Sequence, residues 1–248
     1  MKHWGEVPWP AVRDEAPDAV VLWPIGAVEA HGPHLPLDTD VLISRAMAVE
    51  GARILEEAGE RCLLLPDLPY SPAPFAAAHA GTLGLSADSM SAVLSEVGGG
   101  VLDLGPRALV LVTAHLDPAN RACCKSVAAD LGGRGVVVFP NLARGDYAER
   151  LGEAFQAGDH AGAFETSLVM AIAPDRVDAS LAQGLAANKA SLADAIGGGA
   201  TTFAEAGGPD AYFGDPAAAS ADHGRELLAT LGAILRDAVA EALGPQPS

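Results

Sequence analysis

The sequence predicts an α/β fold: a single domain over residues 1–248, built on a mainly parallel β-sheet flanked by helices on both faces. Short apolar runs such as AVVLWPIG at 19–26 alternate along the chain with longer segments of helical periodicity. This alternation is typical of a parallel sheet covered on both sides. The 248 residues are half hydrophobic, enough for one core, and no linker or internal repeat divides them.

Four segments have the composition expected of buried strands. Each is short, rich in aliphatic residues and bounded by glycine, proline or polar residues. In chain order they are AVVLWPIG at 19–26, RCLLLP at 61–66, RALVLVTA at 107–114 and GVVVFP at 135–140.

Five segments are predicted to be helices because their apolar residues recur at helical spacing. Ser86 is a candidate N-cap for one of them, and Gly59 a candidate end for another. The segments are 39–59, 86–105, 120–133, 166–174 and 215–243. The stretch 180–215 is rich in Ala, Gly and Ser with weak periodicity, so we expect a flexible excursion, a lid or a subunit contact there.

Charge and composition exclude several classes of partner. The chain carries 15 basic and 32 acidic residues, a net charge of −17, and such a surface repels the phosphates of nucleic acid. It has no 18-residue apolar run, so we expect no membrane span, and MKHWGEVPWP is unlike a signal peptide. The three cysteines, Cys62, Cys123 and Cys124, do not suggest a disulfide framework. We therefore expect a cytoplasmic protein.

Polar side chains follow two of the predicted strands. The first strand leads into Glu29 and His31 and then Asp40, and the third leads into His115 and Asp117. If these strands are neighbours, all five side chains converge at the carboxyl edge of the sheet, where ligands bind. Carboxylates mixed with imidazoles suit Zn²⁺, Mn²⁺ or Fe²⁺. Taken one pair at a time, a solvated loop or a helix cap is an equal alternative.

A third polar cluster lies in GDHAGAFETS at 158–167, which contains Asp159, His160 and Glu165. It precedes an apolar helix, so it is interpreted either as a cap for that helix or as part of a reactive site. His34 and Asp38 lie between His31 and Asp40 in the first cluster. A structural hydrogen bond is at least as good an interpretation of His34 as catalysis, and Asp38 is expected to be an N-cap.

Several motifs together resemble the creatininase (creatinine amidohydrolase-like) family. They occur in family order over nearly the whole chain: PIGAVEAHGPHLPLDTD, AGTLGLS, TAHLDPAN, HAGAFETS and GDPAAASADHG. The resemblance implies a single α/β domain with two divalent metal ions at the carboxyl edge of the sheet. It also implies a homo-oligomer, with a hexamer favoured.

The resemblance implies a ligand for each motif position. Glu29, Asp40 and His115 would hold one ion. His31, Asp40 and Asp117 would hold the other, so that Asp40 bridges the two. Creatinine-hydrolysing members carry a glutamate at the position of Asp117, and many others a glycine-rich segment, so this chain departs from both patterns.

The same resemblance assigns roles to the third cluster. His160 matches the histidine proposed to transfer protons. Asp159 stands where creatinine-hydrolysing members carry an acidic residue, and Glu165 is a ligand candidate or a residue that supports the ligands.

The implied function is hydrolysis of a C–N amide bond in a small molecule such as a lactam or formamide. Creatinine itself is disfavoured. The resemblance implies that creatinine-hydrolysing members close the pocket with tryptophans of a loop, which would lie at 141–160 in this chain. The tryptophans here, Trp4, Trp9 and Trp23, lie outside that stretch. The alternatives are a peptidase that matures a short peptide-derived cofactor precursor, a hydrolase that opens a cyclic ketone or lactone, and a binding or assembly subunit without activity.

Overall fold

A five-stranded sheet forms the centre of the protein, whose computed structural model describes residues 1–244. Its strands are β1 (Lys2–His3), β2 (Ala19–Ile25), β3 (Arg61–Leu64), β4 (Ala108–Thr113) and β5 (Val137–Val138). They pair in the order β1-β3-β2-β4-β5, and every pair is parallel. The predicted α/β class is confirmed, and β2 and β4 are neighbours.

The helices lie between and after the strands. They are α1 (Trp9–Glu15), α2 (Thr39–Glu57), α3 (Ala87–Leu102), α4 (Pro118–Leu131), α5 (Gly145–Leu151), α6 (Glu153–Gln156), α7 (Ala163–Ile172), α8 (Ala179–Gly184), α9 (Leu192–Gly197) and α10 (Ala221–Leu243). The predicted cap of α3 is present, since the Ser86 hydroxyl accepts a hydrogen bond from the Ser89 amide.

Two hydrophobic cores cover the two faces of the sheet. Alternate residues of β2 point to opposite sides, so Leu22 joins a core with α2, α5, α7 and α10. Trp23 joins the other core, with α1, α3 and α4. Every residue of β2 and β4 is buried, as expected for the central strands of a parallel sheet.

The structure differs from the sequence prediction mainly at the edges. β5 pairs over only two residues, and β1, α1, α5 and α6 were not predicted. Helix α4 begins two residues earlier than expected because the Asp117 carboxylate accepts a hydrogen bond from the Ala119 amide and caps it. The 180–215 stretch contains two short helices, α8 and α9.

A close approach at Gly26 fixes the start of α2 against the end of β2. A Cβ atom at Gly26 would lie 2.5 Å from the backbone nitrogen of Val41. Only glycine permits this distance, and Asp40 therefore stands directly beside the strand end.

We predict that Gly224→Ala lowers the free energy of unfolding by about 1–3 kcal/mol. A Cβ atom there would overlap the carbonyl oxygen of Ser167, where α10 packs on α7. Gly100→Ala is the matched control, because a Cβ atom in that part of α3 meets nothing within 4 Å. The control should gain about 0.5–1 kcal/mol in urea denaturation. Equal stability of Gly224→Ala and wild type would contradict the packing described.

Within residues 1–244 no helix is long and apolar enough to cross a membrane. Cys62, Cys123 and Cys124 are all buried free thiols.

Candidate active site

Five acidic and histidine side chains meet at the carboxyl edge of the sheet. Glu29 and His31 lie in the loop after β2, and Asp40 in the first turn of α2. His115 follows β4, and Glu165 projects from the first turn of α7. All five are buried. The predicted convergence of the two strand ends therefore exists.

The orientation of the His115 ring is fixed by the backbone. Its Nε2 lies 2.8 Å from the carbonyl oxygen of Pro72, which can only accept, so Nε2 carries a proton. Its Nδ1 therefore points inward, 3.0 Å from Asp40 Oδ2 and 3.3 Å from Glu29 Oε1.

The His31 ring is also held by a backbone carbonyl oxygen, but through Nδ1 rather than Nε2. Its Nδ1 lies 3.1 Å from the carbonyl oxygen of Glu29 and donates to it. Its Nε2 then faces Asp40 Oδ1 at 3.5 Å and Glu165 Oε2 at 3.6 Å. Within the described chain neither His31 Nε2 nor Asp40 Oδ2 has a hydrogen-bond partner.

This arrangement leaves nitrogen lone pairs facing carboxylate oxygens in a buried space. Such contacts are repulsive unless each imidazole takes up a second proton or a cation lies between the atoms. Metal-ligating histidines commonly donate their other nitrogen to a backbone carbonyl, as both rings do here. The donor set of imidazoles and carboxylates fits Zn²⁺ or Mn²⁺.

Three groups of ligand atoms lie within 4.8 Å of one another in residues 1–244. They are Glu29 with Asp40 and His115, His31 with Asp40 and Glu165, and Glu29 with His31 and His160. The first two groups share Asp40, which is the geometry needed for a bridging carboxylate. The residues therefore fit two cations.

The charges of the bare cluster favour the same conclusion. Burial alone would lower the pKa of His31, but the carboxylates of Asp40, Glu165 and Glu29 outweigh it and raise that pKa to about 10. The pKa of His115 is likewise raised well above 6.5, against burial, by Glu29 and Asp40. Protonated imidazoles thus neutralise the carboxylates, and a divalent cation would replace those protons.

Asp117 belongs to none of these three groups. One oxygen caps α4, while Oδ2 is buried without a hydrogen-bond partner in the described structure. Burial raises the pKa of its carboxyl group, with Glu29 adding to the rise. The geometry brings Glu165 rather than Asp117 to His31 and Asp40, and the role of Asp117 as a ligand stays a prediction.

His160 lies beside the cluster as a neutral imidazole. Its Nε2 donates to the carbonyl oxygen of Ala30 at 2.9 Å, which leaves Nδ1 free to accept a proton. Burial, and then the nearby His31, lower the pKa of His160 to about 4. The rings of His31 and His160 are tilted by 33° with centroids 4.4 Å apart, and Phe203 packs on His160 at 4.4 Å.

The sequence left open whether Asp159 and Glu165 cap the following helix or belong to a reactive site, and the structure contains features of both. The Asp159 oxygens accept from the amides of Gly162 and Phe164 at the start of α7, and burial raises its pKa to about 7. Glu165 Oε2 accepts from the amide of Ala161 at 2.6 Å, and Glu165 also belongs to the ligand group with His31 and Asp40. Burial, with Asp40 adding, raises the pKa of Glu165 to about 8. Asp159 as a catalytic group stays a prediction.

His34 and Asp38 do not face the cluster. His34 Nε2 is hydrogen-bonded to the Thr166 hydroxyl at 2.8 Å, the structural role considered for it. Asp38 occupies the N-cap position of α2, but its side chain makes no capping bond and instead pairs with Arg176 at 2.7 Å. Asp38 therefore lies at the predicted N-cap position, without the capping hydrogen bond.

A cavity of about 410 Å³ opens onto the cluster. This is within the range of small-molecule sites. Its polar end contains cluster residues, and its apolar wall is built largely by residues outside the sheet: Phe75, Phe155, Leu192, Ile196 and Phe203. Part of the 180–215 stretch therefore forms a wall of the site.

Three residues that contribute to the site were not predicted from the sequence: Pro72, Phe203 and Arg121. Pro72 acts through its carbonyl oxygen, and Phe203 comes from a segment without periodicity, so neither gave a signal. Arg121, which lines the cavity, did have a signal in the sequence. It lies four residues after the N-cap of α4, and a cation near a helix N-terminus is unfavourable, so its presence there calls for a reason.

The family model named Creatininase, described as creatinine amidohydrolase, matches residues 5–239. A mycofactocin precursor peptide peptidase of Mycobacterium ulcerans (strain Agy99) is 32% identical over 217 residues, 85% of this chain and 80% of that protein. A creatinine amidohydrolase of Pseudomonas putida is 28% identical over 197 residues, 70% of this chain and 73% of that protein. A crystal structure of creatinine amidohydrolase (creatininase) superposes with a TM-score of 0.77 at 23% identity, covering 98% of each chain. This structural similarity shows that the two chains share a fold.

Proposed function

The chain belongs to the creatininase family of hydrolases, and we propose that it is a dinuclear metal-dependent hydrolase that cleaves a non-peptide or cyclic C–N amide bond in a small molecule such as a lactam or formamide. The observation that carries the proposal is the inward-facing ring nitrogen of His31 and of His115, each opposite a buried carboxylate. Glu29, Asp40 and His115 would hold one ion and His31, Asp40 and Glu165 the other. Bound divalent ions would polarise the amide carbonyl and lower the pKa of water toward neutrality.

His160 is proposed to move the proton. Because its Nε2 is tied to the Ala30 carbonyl, Nδ1 is the atom that can take a proton from the attacking water. The same nitrogen can then protonate the departing amine, which would otherwise leave as a strongly basic anion. Phe203 excludes bulk water from one face of the ring.

A peptidase acting on a short peptide-derived precursor is the second candidate, favoured by the relatives of that name. Both candidates break an amide bond and use the same residues. They differ in what the cavity accommodates, so product analysis on small amides and on short peptides separates them.

Ring opening of a cyclic ketone or lactone and a purely binding role are weaker candidates. Release of an amine would exclude the first, and any metal-dependent turnover the second. The cytoplasmic location and the hexamer stay predictions.

We expect purified protein loaded with Mn²⁺ or Zn²⁺ to contain about two ions per chain, because Asp40 is shared by two ligand groups. Elemental analysis by mass spectrometry measures this directly. Chelation should remove amide hydrolysis and re-addition of the metal should restore it. A fully active metal-free protein would falsify the proposed function.

A further inference from the structure

Arg121 is an exception among the arginines of this acidic chain. Eleven of the twelve arginines lie within 4.0 Å of a carboxylate oxygen. Within residues 1–244 Arg121 makes no such pair, although the chain carries 32 acidic residues. It is also half-buried, where an unpaired charge is less favourable than at the open surface.

The Arg121 guanidinium is held by one hydrogen bond, and its remaining N–H groups have no partner in the described structure. Its Nε donates to Asn141 Oδ1 at 3.2 Å, and in the described structure neither terminal nitrogen has a hydrogen-bond partner. Asn141 is itself held, since the same oxygen accepts from the Ala143 amide at 3.3 Å. The terminal nitrogens of an arginine form a fork that matches a carboxylate with two parallel hydrogen bonds.

Arg121 lines the same cavity as the acidic cluster. Apart from two histidines, the other ionisable groups of that wall are carboxyl groups, so Arg121 is its one arginine or lysine among the described residues. A singly charged carboxylate would meet less repulsion from them than a phosphate dianion.

We propose that Arg121 binds a carboxylate of the substrate and thereby selects amides that carry an acidic group near the scissile bond. The inference rests on the proposed function, because it places the amide at the cluster and the carboxylate at Arg121. It makes Arg121 a specificity-determining residue of the reaction.

The test uses matched probes that differ only in charge. Hydroxamates that bind divalent metals are prepared with two, three or four methylene groups before a terminal carboxylate or a terminal carboxamide. Their affinities for the Mn²⁺-loaded protein are measured by calorimetry. We expect the best carboxylate probe to bind about 10- to 100-fold more tightly than its carboxamide, the effect of a charge-assisted hydrogen bond.

In Arg121→Gln that ratio should fall to about one, while the carboxamide affinity and the metal content stay unchanged. Arg121→Lys keeps the charge and should retain part of the preference. Arg176→Gln is the matched control, a surface arginine paired with Asp38, and should keep the full ratio. A phosphonate probe that exceeds the carboxylate would overturn the assignment to carboxylates.

Three results overturn the anion site altogether. They are equal affinity of the wild type for both probes, a ratio that survives Arg121→Gln, and a change in solution mass of that variant, which would show that Arg121 pairs across a subunit contact. If neither probe binds, the inference falls, and metal content then decides separately whether the proposed function falls with it.

Discussion

An Asp40→Asn variant will lose both metal ions and at least about 1,000-fold in kcat/KM for amide hydrolysis. Asp40 is the residue shared by the two main ligand groups, with its oxygens 3.0 Å from His115 Nδ1 and 3.5 Å from His31 Nε2. Asparagine keeps the shape but removes the charge that offsets the repulsion between two cations. Metal catalysis supplies several kcal/mol, and each 1.36 kcal/mol is tenfold in rate.

Asp38→Asn is the matched control for this experiment. Asp38 lies two residues earlier on the same helix, and its carboxylate pairs with Arg176 outside the cluster. The control should keep its metal and its activity. Elemental analysis and steady-state kinetics of both variants are the measurements, and an Asp40→Asn protein with two ions and normal turnover would refute the shared ligand.

A His160→Gln variant will keep its metal and lose about 100- to 10,000-fold in kcat, the usual contribution of general acid–base catalysis. Glutamine can still donate to the Ala30 carbonyl, as His160 Nε2 does at 2.9 Å, so the loop should keep its position. It cannot carry a proton to the departing nitrogen.

The control is His223→Gln, a substitution of an exposed histidine at the start of α10. It should be indistinguishable from wild type. Single-turnover kinetics separate a lost chemical step from lost binding, and metal content is measured in parallel. If His160→Gln loses its ions, the residue is a ligand, as its place in the group with Glu29 and His31 would allow, and the proton-transfer role is wrong.

The central strands and long helices could be predicted because their signals are local. β2 and β4 are continuous apolar runs, and α3 begins at the serine expected to cap it. β1 is two residues long and pairs only because β3 lies beside it, so no local pattern announces it.

The site was predictable where it follows strand ends and not where backbone atoms or loops complete it. Glu29, His31, Asp40 and His115 come together because β2 and β4 are neighbours. The choice between Asp117 and Glu165 depends on how α7 enters the site, which residue spacing does not encode. The loop that carries the Pro72 carbonyl is placed by tertiary packing alone.

The division of the cavity into two kinds of wall has an evolutionary consequence. The groups that would hold the cations lie in the loops that follow β2 and β4 and in the first turns of α2 and α7, whereas Leu192, Ile196 and Phe203 lie on a separate excursion of the chain. Exchange of that excursion between homologues can therefore change which molecules are accepted while the proposed metal ligands stay in place, provided that the aromatic ring that packs on His160 is kept. Such modularity gives protein engineers a defined cassette, residues 185–215, for retargeting the enzyme.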